Sequence, residues 1–143
     1  MDVNNPVVKL CAEGMQAEFA GRGGEAYAMF MRAWEARTDD YEACVAAHFL
    51  ARYQQEPAES LRWNREALER ANAVQDERVR DFYPSLCLNL GKSHEELGDQ
   101  TEARRYYLLA TDGAARLPDN PYGDTVREAS AEGLKRVSGK GEG

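Results

Sequence analysis

Five positions of this chain recur with the same internal spacing, and that constrains the fold more than any other feature. Gly14, Gly21, Ala26, Phe30 and Ala33 are separated by steps of 7, 5, 4 and 3, and Gly91, Gly98, Ala103, Tyr107 and Ala110 repeat those steps. A degraded copy lies between them: His48, Gln55, Ser60, Asn64 and Ala67. The pattern describes a small residue on one helix, a glycine that ends it, and a second helix with a small-aromatic-small face. One such helical hairpin cannot bury its apolar face alone, so repetition predicts a stack of hairpins. No stretch shows the sustained alternation or the Asn-Gly turn of paired strands.

Helix boundaries follow from capping and turn chemistry. Asn5-Pro6 opens a first helix that runs to about Ala20, because Asn caps and Pro is tolerated in the first turn. Gly21-Arg22-Gly23-Gly24 is a turn, and a second helix spans about Glu25 to Arg37. Thr38-Asp39-Asp40 breaks the chain and caps a third helix, Tyr41 to Gln54. Pro57 opens the fourth. From Ala33 to Ala67 the repeat is 34 residues, but from Ala67 to Ala110 it is 43, so extra residues enter between Asn72 and Pro84. Longer helices at that joint are the expectation, with Pro84 either kinking the fifth helix or starting it. Asp99 caps the sixth helix, with Glu102 completing a capping-box-like pattern. Leu117-Pro118-Asp119-Asn120-Pro121 is a firm break. A last helix, about 122–137, carries Val126, Ala129, Gly133 and Val137 on one face and closes the open end of the array. The predicted organisation is one helical-repeat domain, 1–138, with repeats at about 7–40, 41–74 and 84–117, the capping helix, and a flexible tail at 139–143.

The chain has 143 residues and a formal charge of -7, with 14 Arg against 4 Lys. An acidic chain without a Lys/Arg cluster is a poor tracker of phosphate, so nucleic acid is not an expected partner. The start has neither a basic region nor an apolar stretch, and no apolar run is long enough to span a bilayer, so a cytoplasmic protein with no membrane partner is expected. The Arg and Ala bias points to a bacterial source. Cys11, Cys44 and Cys87 make an odd count without a close pair, as suits buried thiols in a reducing compartment.

Taken together, Leu90-Gly91, His94, Gly98, Ala103, Tyr107 and Ala110, with Gly14, Gly21, Ala26, Phe30 and Ala33, resemble the tetratricopeptide repeat family. The middle copy retains chiefly Ala47, Ala67 and Leu68, and the lengthened joint resembles the longer repeats of kinesin light chains. The resemblance implies an all-α, right-handed superhelical stack of three helix-turn-helix hairpins plus a C-terminal capping helix. It also implies a concave groove lined by the first helix of each hairpin: Cys11, Met15, Glu18 and Phe19; Val45, Phe49, Arg52 and Tyr53; Leu88, Asn89, Lys92, Glu95 and Glu96.

Within that set, Phe49 and Tyr53 share a face with Arg52 beside them, the composition of a binding hot spot. The alternative is that both aromatics pack on neighbouring hairpins and Arg52 is solvated. Asn89 corresponds to an asparagine that bonds an extended peptide in kinesin light-chain-like arrays; the alternative is an Asn satisfied within its own helix. The Lys/Asn/Arg clamp with which chaperone co-factors of the family hold a C-terminal carboxylate is absent, since its places carry Cys11, Met15, Ala46, Ser85 and Asn89.

The expected function is an adaptor or scaffold that binds a protein or peptide through Met15, Phe49, Arg52, Tyr53, Leu88, Asn89 and Lys92. Arg52 and Lys92 suggest an acidic group on the ligand. No catalytic, metal or cofactor constellation is evident. Two other classes stay open: a small-molecule-sensing regulatory subunit with an apolar pocket around Met15, Phe49 and Leu88, and a thiol-dependent enzyme using a pair such as Cys44 and His48. Pairing of two copies through an array end or an apolar groove is a further expectation.

Overall fold

The computed structural model describes residues 4–142, and all the regular structure among them is helical. The helices are α1 (Pro6–Phe19), α2 (Gly23–Glu35), α3 (Asp40–Ala51), α4 (Pro57–Val74), α5 (Glu77–Arg80), α6 (Tyr83–Glu96), α7 (Gln100–Ala114) and α8 (Pro121–Glu142). The chain divides into two compact units, Met1–Arg78 and Val79–Gly143. The first holds the hairpins α1–α2 and α3–α4. The second holds the hairpin α6–α7, with α8 packed on both of its helices. Helix α8 continues through Glu142, into the stretch expected to be a tail, while Gly143 lies outside the described residues.

The repeated glycines do the work their spacing implies. Gly21 and Gly98 sit at φ 81° and 83°, where a side chain would be strained. In both places the chain closes the same way. Gly21 N–H donates to Glu18 O and Arg22 N–H to Ala17 O; Gly98 N–H donates to Glu95 O and Asp99 N–H to His94 O. Each pair satisfies carbonyls that a helix end leaves open.

The middle copy lacks this glycine, which is why it reads as degraded. Helix α3 ends instead with short bonds from Arg52 N–H to Phe49 O and Tyr53 N–H to Leu50 O. The Gln54 amide donates to Leu50 O at 3.0 Å and the Ser60 hydroxyl to Ala51 O at 2.9 Å. Side chains here replace the left-handed residue.

At the lengthened joint the expectation of longer helices holds only in part. Helix α4 is 18 residues long, but it stops where Gln75 turns left-handed at φ 52°, and the remaining residues form the separate short helix α5. Pro84 then falls in the first turn of α6, so it starts that helix.

The N-terminal entry is tied to the second hairpin by one buried carboxylate. Asn5 Oδ1 accepts from Val7 and Val8 N–H, capping α1. Its amide donates to Glu42 Oε2 at 2.8 Å, and Glu42 Oε1 accepts from Thr38 N–H and Oγ1–H. Burial alone would raise the Glu42 carboxyl, but these three donors outweigh it and hold the group below its ordinary value.

Candidate functional site

In the first unit α1 and α3 lie side by side, and α2 packs against both. Phe30 of α2 is fully buried and its ring lies over Gly14 of α1, where an added Cβ would meet Phe30 Cε1 at 2.5 Å. Phe49 of α3 stacks on the Phe30 ring, with centroids 4.9 Å apart and planes 8° from parallel. Tyr53 tilts against Phe30 at 5.6 Å. Of the two alternatives for this aromatic pair, packing accounts for Phe49, which is only 5% exposed.

Arg52 is not simply solvated. Its guanidinium pairs with Glu18 of α1 and lies 5.0 Å from the Phe49 ring centre. The Tyr53 hydroxyl donates to the other Glu18 oxygen at 2.7 Å. Burial and the Glu18 carboxylate together raise the Tyr53 phenol above its ordinary value, so it remains a donor at neutral pH. Arg52 itself stays exposed, with 40% of its side chain accessible, so the pair with Glu18 lies at the surface. Beside the exposed Lys9, Glu13 and Gln16, α1 leaves two large apolar side chains open: Met15, 41% exposed, and Phe19 one turn on, 97% exposed.

The second unit contains the counterpart of this arrangement. Tyr107 of α7 is fully buried between Gly91 of α6 and Gly133 of α8. Its hydroxyl donates to Glu95 Oε1 at 2.7 Å, and Arg136 of α8 reaches both Glu95 oxygens at 3.0 and 3.1 Å. Glu18 and Glu95 stand in the same place of the two matching copies. Arg52 follows Phe49 by three residues as Arg136 follows Gly133. Arg136 lies on the helix that covers the buried ring and Arg52 caps the C-terminal end of its counterpart, and each reaches back to the first helix of the hairpin. Sequence reading did not find Arg136, although its spacing from Gly133 carried the signal.

Of the expected groove residues on α6, Leu88 is buried, Asn89 is half-buried and Lys92 is exposed. Glu95 is engaged with Tyr107 and Arg136 as above. His94 is a packing residue, stacked on Tyr106 with centroids 5.5 Å apart.

The three thiols are buried. Burial pushes Cys11 and Cys44 up to about 12 and Cys87 up to about 11, so all three are protonated at neutral pH and are poor nucleophiles. His48 moves the other way: burial, and then the charge of Arg52, lower it to about 4. Among the described residues no helix is long and apolar enough to cross a membrane.

No protein-family model matches this chain, and no curated protein does. A solved structure does match: the crystal structure of PcrH in complex with the chaperone binding region of PopD. The TM-score is 0.60, with 19% identity over 94% of this chain and 92% of that one. The likeness is one of fold. It covers nearly the whole of both chains, and it agrees with the helical hairpins described above.

Proposed function

We propose that this chain is a tetratricopeptide-like adaptor that holds a segment of another protein on the α1–α3 face of its first unit. The observation that carries the reading is the pair Met15 and Phe19. Two large apolar side chains stand open one turn apart on α1, beside a Glu18–Arg52–Tyr53 network that fixes α1 against α3. A rigid face with exposed apolar anchors and a satisfied polar border suits capture of an apolar or aromatic side chain from a partner. That PcrH is solved with the chaperone binding region of PopD supports a protein segment as the occupant.

The network also revises the chemistry expected of the ligand. Arg52 has a carboxylate partner in Glu18 but is exposed, so apolar anchors lead selection on this face and an acidic group on the ligand would compete with Glu18 for Arg52. Lys92, exposed on α6, is the other candidate for recognising an acidic side chain. An adaptor also accounts for the buried, protonated thiols better than a thiol-dependent enzyme does.

Selection of peptides from a displayed library on the immobilised chain tests this. Enriched peptides should share an apolar or aromatic anchor. Met15→Glu with Phe19→Glu should weaken them at least tenfold, at unchanged helix content. Equal affinity for the double variant would reject the face. Glu18→Arg with Arg52→Glu, which exchanges the charges while keeping the pair, should bind nearly as wild type. Loss of binding in that exchange would restore Arg52 as a ligand contact.

A further inference from the structure

The outer face of α7 carries a second, independent feature. Leu108 and Leu109 are 42% and 41% exposed, in the middle of a helix whose buried side is Ala103, Tyr107, Ala110 and Ala114. Arg105 lies one turn before them and Asp112 one turn after, both exposed, and the four residues line one shallow surface depression. At positions i, i+3, i+4 and i+7 they form a single stripe. Arg105 is held by Glu102 at 2.7 Å, while Asp112 has no ion pair among the described residues.

This stripe is complementary to itself. A two-fold axis through the midpoint of Leu108 and Leu109 sets two copies of α7 antiparallel. Each residue then faces the one equally far on the other side of that midpoint. Leu108 meets Leu109 of the second copy, and Arg105 meets Asp112, at both ends. Further out, Arg104 faces Gly113, Glu102 faces Ala115 and Thr101 faces Arg116, so no like charges are opposed. An isologous contact needs this property, because every residue is matched with a partner from the same patch. The antiparallel pairing supplies Asp112 with the cation it lacks among the described residues.

We infer that α7 is a homodimerisation surface, with a second copy of this chain packed antiparallel on Arg105, Leu108, Leu109 and Asp112. The apolar area is small beside the roughly 1,200–2,000 Å² buried in stable complexes, which places the dimer in the weak, concentration-dependent class.

Sedimentation velocity over about 10 to 500 µM chain, the range in which weak dimers form and dissociate, tests the inference. The wild type should shift from monomer toward dimer across the range. Arg105→Glu opposes two carboxylates and Asp112→Arg opposes two guanidinium groups, so each alone should weaken association at least fivefold. The double variant Arg105→Glu/Asp112→Arg recreates the opposite-charge pairs and should recover it. All of these positions are exposed, and circular dichroism melts should stay close to wild type. A chain that is monomeric throughout, single variants that associate as well as wild type, or a double variant that fails to recover would each overturn the antiparallel contact.

Discussion

Phe30 and Tyr107 are the side chains on which the two matching hairpins close, and each is matched to a residue with no side chain. Gly14 and Gly91 leave room for a ring that any Cβ would strike. Phe30→Ala removes the ring and leaves a cavity among Gly14, Phe49 and Tyr53, for which about 3–5 kcal/mol is expected. Gly91→Leu drives a branched side chain into Tyr107 and should be at least as severe. Denaturant titration of both variants measures the effect, and normal midpoints would contradict the packing. His48 makes a separate prediction. Its folded pKa of about 4 lies below its ordinary 6.5, so between those values the unfolded chain binds the extra proton. The sign follows: the His48 contribution is full above about pH 6.5 and is lost as pH falls toward 4. Glu42, held below its ordinary 4.5, adds its own loss from about pH 4.5 downward, at the acid end of that window, and does so equally in wild type and in a His48 variant. Denaturant midpoints at pH 7, 5.5 and 4.5 should therefore fall less steeply in His48→Gln than in wild type; parallel slopes would show that His48 is not the group responsible.

At the scale of elements, caps and cross-helix side chains decide where helices end and what holds them. Arg127 of α8 donates to Ala114 O at 3.0 Å, Leu117 O at 2.9 Å and Pro118 O at 3.2 Å, serving the carbonyls at the end of α7 and in the connection that follows. The planar guanidinium reaches these carbonyls from two nitrogens held in a fixed fork, whereas a lysine would have to serve them from one atom. Arg127→Ala should cost about 1–3 kcal/mol, the range for hydrogen bonds to a charged group, and Arg127→Lys should recover only part of it, measured by thermal melts. These elements were legible in the sequence to different depths. Asn5, Asp39 and Asp99 announce the starts of α1, α3 and α7, and each caps through its side chain. The end of α3 was harder to place, because Gln54 and Ser60 satisfy its last carbonyls from outside the usual glycine position. Helix α5 was missed because four residues carry no periodic signal, and only the left-handed turn at Gln75 separates them from α4. The i,i+4 pair Glu66–Arg70 forms as its spacing suggests, whereas Arg62 turns back to Glu59, since either neighbour lies within reach on a solvated face.

For the molecule as a whole, the repeat spacing told more about the core than about the open surface. Two copies of one pattern identified Phe30 and Tyr107, because packing a ring against glycine imposes strict spacing. The candidate site was less legible. Phe49, Leu88 and Arg52 have the composition of a contact surface, yet Phe49 and Leu88 are buried and Arg52 is paired with Glu18. Composition along one helix cannot reveal a partner on another. The open anchors, Met15 and Phe19, were among the groove positions implied by the tetratricopeptide resemblance, but exposure is a property of the assembled unit. The central claim is that the α1–α3 face of the first unit holds a protein segment, and amide chemical-shift mapping tests it most directly. Isotope-labelled chain titrated with a display-selected peptide should shift resonances of α1 around Met15 and Phe19, and of α3 around Arg52 and Tyr53. Saturable shifts confined to other helices, with α1 and α3 unmoved, would contradict it.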